Sequence, residues 1–566
     1  MHPNSTGAVD LIGTGFDINF NPRSYTGEAV CETHHGMEAR GMSGWNQAPL
    51  PRDQILLFRE TLGDRIPENH SVRLFAEILD GLDWSSWEQH YVLVAGQPPI
   101  HPKIMAGAIL YGLTHGLRSS RRLEWACANA VDFMWLAEGR TIDHSTFCDF
   151  RTKFKRELKD LFRQIGRVAM HLGLIRLNQV ALDGTRVKAN SSPHATASAK
   201  TLEERLKVLD EQIEKMLAEA DQVDQQDKDL FGDSVSGHAL PAELTDLKKR
   251  QERLRKAFEA AQQGDAKRAK SKRSSKRSVK VPVADPDSAI MPNKEGGYAP
   301  NFNPVAAADG ECGMIVDADV LNEMKEGETV IPTVERIEST FGRQPGQFLA
   351  DSTFATGSNL SGLADRGIEA VMPVEQTKLP DENPADRADP TQPVTEEDWP
   401  KLPRRAQTKK LDRAAFVYDE KKDCYHCPLG RELAFDYIKM QARDTGEASV
   451  YRVYTCGSCE GCGLASDCLV GKSKVRTVSH DQHEPVRQEV AARLKTESGK
   501  KAYAKRAHLA ETPNGFIKQV IGLRQFLLRG LDKVRTEWLW ACTAFNIRKL
   551  ILAMRMLRAE GTVTLV

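Results

Sequence analysis

The chain has no run of about 18 apolar residues, so nothing in it reads as a membrane span. It has no excess of either charge, with 78 Lys and Arg against 78 Asp and Glu, which argues against a protein that coats nucleic acid over its whole surface. Its first residues, MHPNSTGAVDLIGTG, lack the basic and apolar regions of a secretory signal. Aromatic residues are sparse at 7%. The cysteines do not make an even set: there are 11, and six of them crowd between 424 and 468. That pattern excludes a simple disulfide framework and fits metal binding in a reducing cytoplasm.

What is present is long and locally biased. A chain of 566 residues holds about three or four domains and buries a core without difficulty. Lys and Arg outnumber acids from Lys500 to Arg558, whereas 375–398 is acid-rich, so a phosphate-binding face is compatible with a neutral total.

The organising stretch is QVALDGTRVKANSS at 179–192. Val180, Ala181 and Leu182 read as a short buried strand that ends on Asp183, just before Gly184. A desolvated carboxylate costs several kcal/mol or more unless something compensates it, so an acid at the end of a buried strand needs a reason. One such Asp is as readily a turn residue. The arrangement recurs, however, in QFLADSTFATGSNLSGLADRGIEAVMP, where Phe348 to Ala350 form a strand ended by Asp351 and a later strand covers Ile368 to Met372. Two strand-end carboxylates in one sheet suit a pair of divalent ions, which need few protein ligands and can drive phosphodiester chemistry.

A third acid stands in YAKRAHLAETPNGFIKQVIG. In these contexts Asp183, Asp351 and Glu511 resemble the DDE triad of bacterial insertion-sequence transposases with an InsH-like N-terminal domain and an RNase H-like core. Tyr503, Arg506, Glu511 and Lys518 resemble the Tyr, Arg, Glu and Lys signature of that broad family, and 526–549 resembles its C-terminal helices. Asp285 to Ser288 and the Gly297–Tyr298 pair are similar to its D-P-D-S and Gly-Tyr segments, with Ala289 where many relatives carry Arg. The resemblance spans roughly 45–555 and implies two Mg²⁺ or Mn²⁺ ions held by Asp183, Asp351 and Glu511. It implies DNA contacts by Lys518 and Arg506, end cleavage followed by strand transfer, and terminal inverted repeats and target DNA as partners. A homo-oligomer is expected during synapsis. A catalytically inactive DNA-binding relative and a two-metal nuclease without strand transfer remain as alternatives. Pro513 and Gly515 predict a break or kink in the helix just after Glu511.

Taken in order, residues 1–44 read as a flexible extension, with Met42 a candidate true start. Residues 45–177 read as a helical DNA-binding domain, in which Asp143 or Ser145 caps a helix carrying Arg151, Lys153, Lys155 and Arg156. An ordinary bundle with a solvated charged face fits the same pattern. Of these cations, Arg151 and Lys155 are the candidate DNA contacts. The catalytic core, an α/β (α+β) mixed sheet, is expected at 178–373 and 480–555. Leu202, Leu206, Leu209, Ile213 and Met216, then Leu244, Leu247, Leu254 and Phe258, predict a helical hairpin within 200–280, ending in the basic tract KRAKSKRSSKRSVK. Phe302 to Ala307 and Met314 to Val320 predict hairpin strands around Asp309 and Gly310. A linker is expected at 374–413 and a zinc-ribbon-like insertion at 414–479.

In that insertion six thiols offer more ligands than a tetrahedral Zn²⁺ takes. Similarity to the family's Cys-Pro-x-Gly and C-x-x-C-x5-C pattern selects Cys427, Cys459, Cys462 and Cys468, with Cys424 and Cys456 as alternates and a structural role for the metal.

Overall fold

Alternation along one strand sets the layers. Val180 and Leu182 point to one side of β1 (Gln179–Gly184) and Ala181 to the other, and all three are fully buried. A strand covered on both faces belongs inside a sheet. In the computed structural model, which describes residues 61–559 apart from 92–98, 232–241, 270–277, 294–295, 375–382, 443–447 and positions 406, 458 and 472, β1 is such a strand. The expected N-terminal extension with Met42, the turn of the helical hairpin and most of the basic tract lie outside the described residues.

β1 runs antiparallel to β2 (Tyr298–Asp309), which carries β3 (Ile315–Leu321) on its other edge. On its other side β1 runs parallel to β4 (Gln347–Leu349), and β4 runs parallel to β5 (Glu369–Val371). The sheet is therefore mixed, as expected, and β2 and β3 form the anticipated hairpin. Beneath it Val180, Leu182 and Phe348 pack against Val334 and Ile337 of helix Val330–Phe341. Above it Ala181, Leu349 and Val371 pack against Ala502 and Leu509 of helix Glu497–Gln519.

That upper helix starts where the Thr496 side chain accepts from the Gly499 amide at 3.0 Å. It does not end after Glu511: it runs on through Pro513 to Gln519, without the break that is one of the two expected outcomes. Proline removes the amide donor that would serve the Leu509 carbonyl, while one residue on the Asn514 side chain adds a bond to the Ala510 carbonyl at 3.1 Å.

The N-terminal helices close on the C-terminal helix Leu531–Ala559, which shares one apolar core with Pro102–Thr114 and Lys155–His171. Asp143 is the cap of His144–Lys153, accepting from the Ser145 amide at 2.7 Å. The single basic helix expected here is two, broken at Phe154, whose ring is buried against Trp87 and Phe150. Burying that ring outweighs helical continuity at this position. Arg118 ties the helices to the far end of the chain through the Gly522 carbonyl (2.7 Å), the Gln525 carbonyl (2.6 Å) and Glu537 (2.8 Å).

Ala199–Phe231 and Ala242–Ala269 form the anticipated hairpin, sealed by Leu202, Leu206 and Leu209 against Leu244, Leu254 and Ala257. The cysteine-rich segment builds a separate antiparallel sheet of five strands, from Val417–Asp419 to Thr477–Asp481. The D-P-D-S segment caps the C-terminal helix: Asp285 accepts from the Gly530 amide at 3.0 Å and Asp287 from the Leu531 amide at 2.8 Å.

Candidate active site

The period of two that buries Ala181 also aims Asp183 at the upper face, toward helix Glu497–Gln519. The same holds for Leu349 at the end of β4 and Asp351 two residues beyond it. Parallel pairing sets Ala181 beside Leu349, so two residues later Asp183 stands beside Asp351 at the carboxyl ends of both strands. This is where open α/β sheets place their ligands.

Arg506 spans the two. Its guanidinium donates to Asp183 Oδ1 at 3.1 Å and lies 3.7 Å from Asp351 Oδ2. Asp183 Oδ2 accepts from Asn514 Nδ2 at 3.4 Å, and Asp351 Oδ1 accepts from the Thr353 amide at 2.8 Å. Tyr503, beside Arg506, has its hydroxyl pKa raised by burial. Lys518 reaches the start of the next turn, donating to the Thr185 hydroxyl and to the Arg186 carbonyl (2.8 Å). The side chains of Asp183 and Asp351 are 20% and 35% exposed, so the pair is sheltered yet open to a ligand.

Glu511 is on the same helix, seven residues before Lys518 and so only about 20° from it around the axis. Its side chain is exposed and makes no hydrogen bond or ion pair among the described residues. The structure thus brings Asp183, Asp351, Arg506 and Lys518 together and leaves Glu511 on the rim.

One acid was not anticipated. Glu326, in the loop after β3, lies against the Gly184 backbone: a β-carbon built on that glycine would sit 2.5–2.7 Å from its carboxylate. Asn303 donates to it at 2.6 Å. Burial, then Asp351 and Asp183, push its pKa above the ordinary range. Neither periodicity nor a turn signal marks it, because it acts through a loop that only the fold brings to β1.

Two further buried oxygens point to a missing partner at this centre. Asn514 Oδ1 and Asn303 Oδ1 have none, although both residues are more than nine-tenths buried and their amide nitrogens already bond Asp183 and Glu326. Clustered carboxylates with spare amide oxygens are a hard-cation donor set, and they fit Mg²⁺ or Mn²⁺.

The N-terminal cations behave differently. Arg151 is half-buried, donates to the Arg118 carbonyl at 2.6 Å, and has its pKa pushed down to about 10 by desolvation. It braces the helices from inside. Lys155 is more open, 3.6 Å from Asp532.

In the cysteine-rich sheet Cys427, Cys456, Cys459, Cys462 and Cys468 line one cavity of about 20 Å³, room for a single atom or water. Burial, joined by Cys459, Cys427 and Cys462 and opposed by Arg476, pushes the Cys468 thiol up to about 12. Such thiols gain most from a metal that replaces their protons, so the donor set fits zinc. Among the described residues no three of these sulfurs lie within 4.8 Å of one another, so a closed tetrahedron requires them to draw in. Cys424 faces elsewhere: its sulfur is 3.7 Å from His426 Nε2, which is 3.8 Å from Asp419.

Residues 405–551 match the model of a Transposase DDE domain, which takes in Glu511, Lys518 and the cysteine cavity but not β1 or β4. Residues 60–153 match a Transposase domain (DUF772), over the N-terminal helices. No curated protein and no solved structure matches the chain. No helix among the described residues is long and apolar enough to cross a membrane. With 60–153 and 405–551 matched to transposase domains and two strand-end aspartates meeting at helix Glu497–Gln519, these findings support an insertion-sequence DDE transposase.

Proposed function

We propose that the sheet is an RNase H-like catalytic core in which Asp183, Asp351 and Glu511 hold two Mg²⁺ or Mn²⁺ ions, and that the protein cuts the ends of its element and joins them to target DNA. The observation that carries this reading is the register that sets Asp183 beside Asp351 with Arg506 bridging both. Divalent ions bound there would supply an activated water or 3′-hydroxyl and neutralise the leaving oxygen.

The chain's own groups account for the rest. Thr353 and Asn514 hold the two aspartates in place by hydrogen bonds, so the carboxylates are set before substrate arrives. Arg506 keeps them paired and offers a cation to a scissile phosphate, and Lys518 presents another at the mouth of β1. Lys155, partly exposed on the N-terminal helices, would meet backbone phosphates, whereas Arg151 would serve DNA binding only by bracing those helices. Thiolates of Cys427, Cys459, Cys462 and Cys468, with Cys456 at the same cavity, would hold a structural zinc. Substrate is double-stranded DNA, with a homo-oligomer pairing two ends in the bacterial cytoplasm.

The test is purified protein with Mg²⁺ or Mn²⁺ and DNA carrying the inverted repeats that flank its gene. Cleavage followed by joining is expected. Cleavage without joining would mean a nuclease, and binding without cleavage an inactive relative. If Asp183→Ala cut as well as the parent, the assignment of the metal centre would be wrong.

A further inference from the structure

The loop after β3 is built to carry its acid to the reacting pair. The Thr329 amide and hydroxyl donate to the Glu326 carbonyl at 3.1 and 2.7 Å, fixing the backbone of that residue. The next residue is wedged against the segment behind Asp351: a β-carbon on Gly327 would lie 3.3 Å from the Thr353 carbonyl, and the Gly327 carbonyl accepts from the Asn359 side chain. The glutamate is therefore pinned on one side to its own loop and on the other to the loop that follows Asp351.

Its carboxylate then lies over Gly184, one residue past Asp183, where a side chain on that glycine would displace it. Glycine at 184 is required here by the close approach of another group. Asn303, 1% exposed, donates to the carboxylate and leaves its own oxygen without a partner. Three acids from three different elements act on one another at this point, and since their carboxylate oxygens do not all lie within 4.8 Å of one another, a shared ion requires them to draw in. The bridging guanidinium comes from helix Glu497–Gln519 and reaches the two aspartates. Like charges repel in a sheltered site; Arg506 at the aspartates and Arg186 near Glu326 offset part of that repulsion, and a divalent cation relieves more of it.

We propose that Glu326 is a fourth carboxylate of the metal centre, sharing a divalent cation with Asp183 and Asp351 in the protein free of DNA. This rests on the assignment of those aspartates as metal ligands. It also gives the exposed Glu511 a distinct place: the first cation binds without it, and Glu511 contributes once DNA is present.

The experiment is Mn²⁺ binding to the full chain without DNA, followed by calorimetry and by the electron paramagnetic resonance of the free ion. Glu326→Gln is expected to weaken Mn²⁺ binding about tenfold or more, as loss of a ligand-level contact does. Glu511→Gln is expected to leave it nearly unchanged, and Asp183→Asn to abolish it. Wild-type affinity in Glu326→Gln, with binding lost in Asp183→Asn, would overturn the role of Glu326 alone. Wild-type affinity in Asp183→Asn would overturn the metal centre itself and Glu326 with it. Melting in EDTA guards against a folding artefact, since Glu326→Gln removes a buried like charge and is expected to melt no lower than the parent. Glu326→Asp, one methylene shorter, is expected to bind Mn²⁺ with intermediate affinity; affinity equal to the parent's would count against direct ligation.

Discussion

The carboxylate centre and the thiolate cavity solve opposite problems. Asp183 and Asp351 stand at the ends of strands whose apolar side chains are fully buried, so the sheet exists without any ion and fixes where the acids lie. Cys459, Cys462 and Cys468 sit in turns and a four-residue helix, Ala465–Cys468, around a cavity no larger than an atom. A metal there organises the chain locally, whereas at the aspartates it arrives at a prepared site. The lesson is that donor chemistry follows rigidity: hard, water-exchanging ions suit strand ends, and a thiolate-bound ion substitutes for a core that turns lack.

Breaking each centre should therefore give different losses. The largest effect expected is Asp183→Asn or Asp351→Asn, which lowers DNA end cleavage by about 10³-fold or more while leaving the melting temperature unchanged or raised. A matching fall in Tm would show that the aspartates hold the fold and would erase the contrast. Next is Cys468→Ser, expected to lower zinc content, measured by mass spectrometry of the metal, and to expose 405–481 to protease while the main sheet stays protected. If proteolysis spread equally into β1 and β4, the cavity would be part of one cooperative unit with the sheet. Smaller again is Arg506→Ala. The pair it bridges is partly exposed, so about 1–2 kcal/mol of stability is expected to go in EDTA and to return with Mg²⁺.

The same contrast explains what could be read in the chain. Asp183 and Asp351 were legible because a short apolar run ending in an acid is a local signal, and local alternation decides which face the acid takes. The hairpin strands and the two arms at 199–231 and 242–269 were legible for the same reason. Glu326 was not, since its loop has no period and its meaning lies in a contact with Gly184 far away in sequence. Arg151 misled because a basic residue near a capped helix looks solvated, while the fold turns its guanidinium inward to Arg118. The break expected at Pro513 misled in another way: the proline costs one local hydrogen bond, and the packed helix runs through it to Gln519. The break at Phe154 was equally hidden, because it depends on rings from Trp87 and Phe150 arriving together.

Asp285 sharpens the comparison as a buried carboxylate with no site to fill. It accepts from the Gly530 amide at 3.0 Å, its second oxygen has no partner, and burial raises its pKa to about 6 from an ordinary 3.8. A folded-state value above the unfolded one means that the native protein holds the proton longer. Below about pH 4 both states are protonated and the contribution is fully favourable; as pH rises toward 6 the unfolded chain ionises first and stability is lost, with no further change above. Asp285→Asn keeps an acceptor for Gly530 and removes the charge, so its melting temperature is expected to exceed the parent's by a few degrees at pH 7 and to converge with it at pH 4. Added Mg²⁺ is expected to leave this difference unchanged, unlike that of Arg506→Ala, because Asp285 works as the cap of helix Leu531–Ala559 and not as a ligand. A difference that closed with Mg²⁺ would mean that this carboxylate, too, belongs to a metal site.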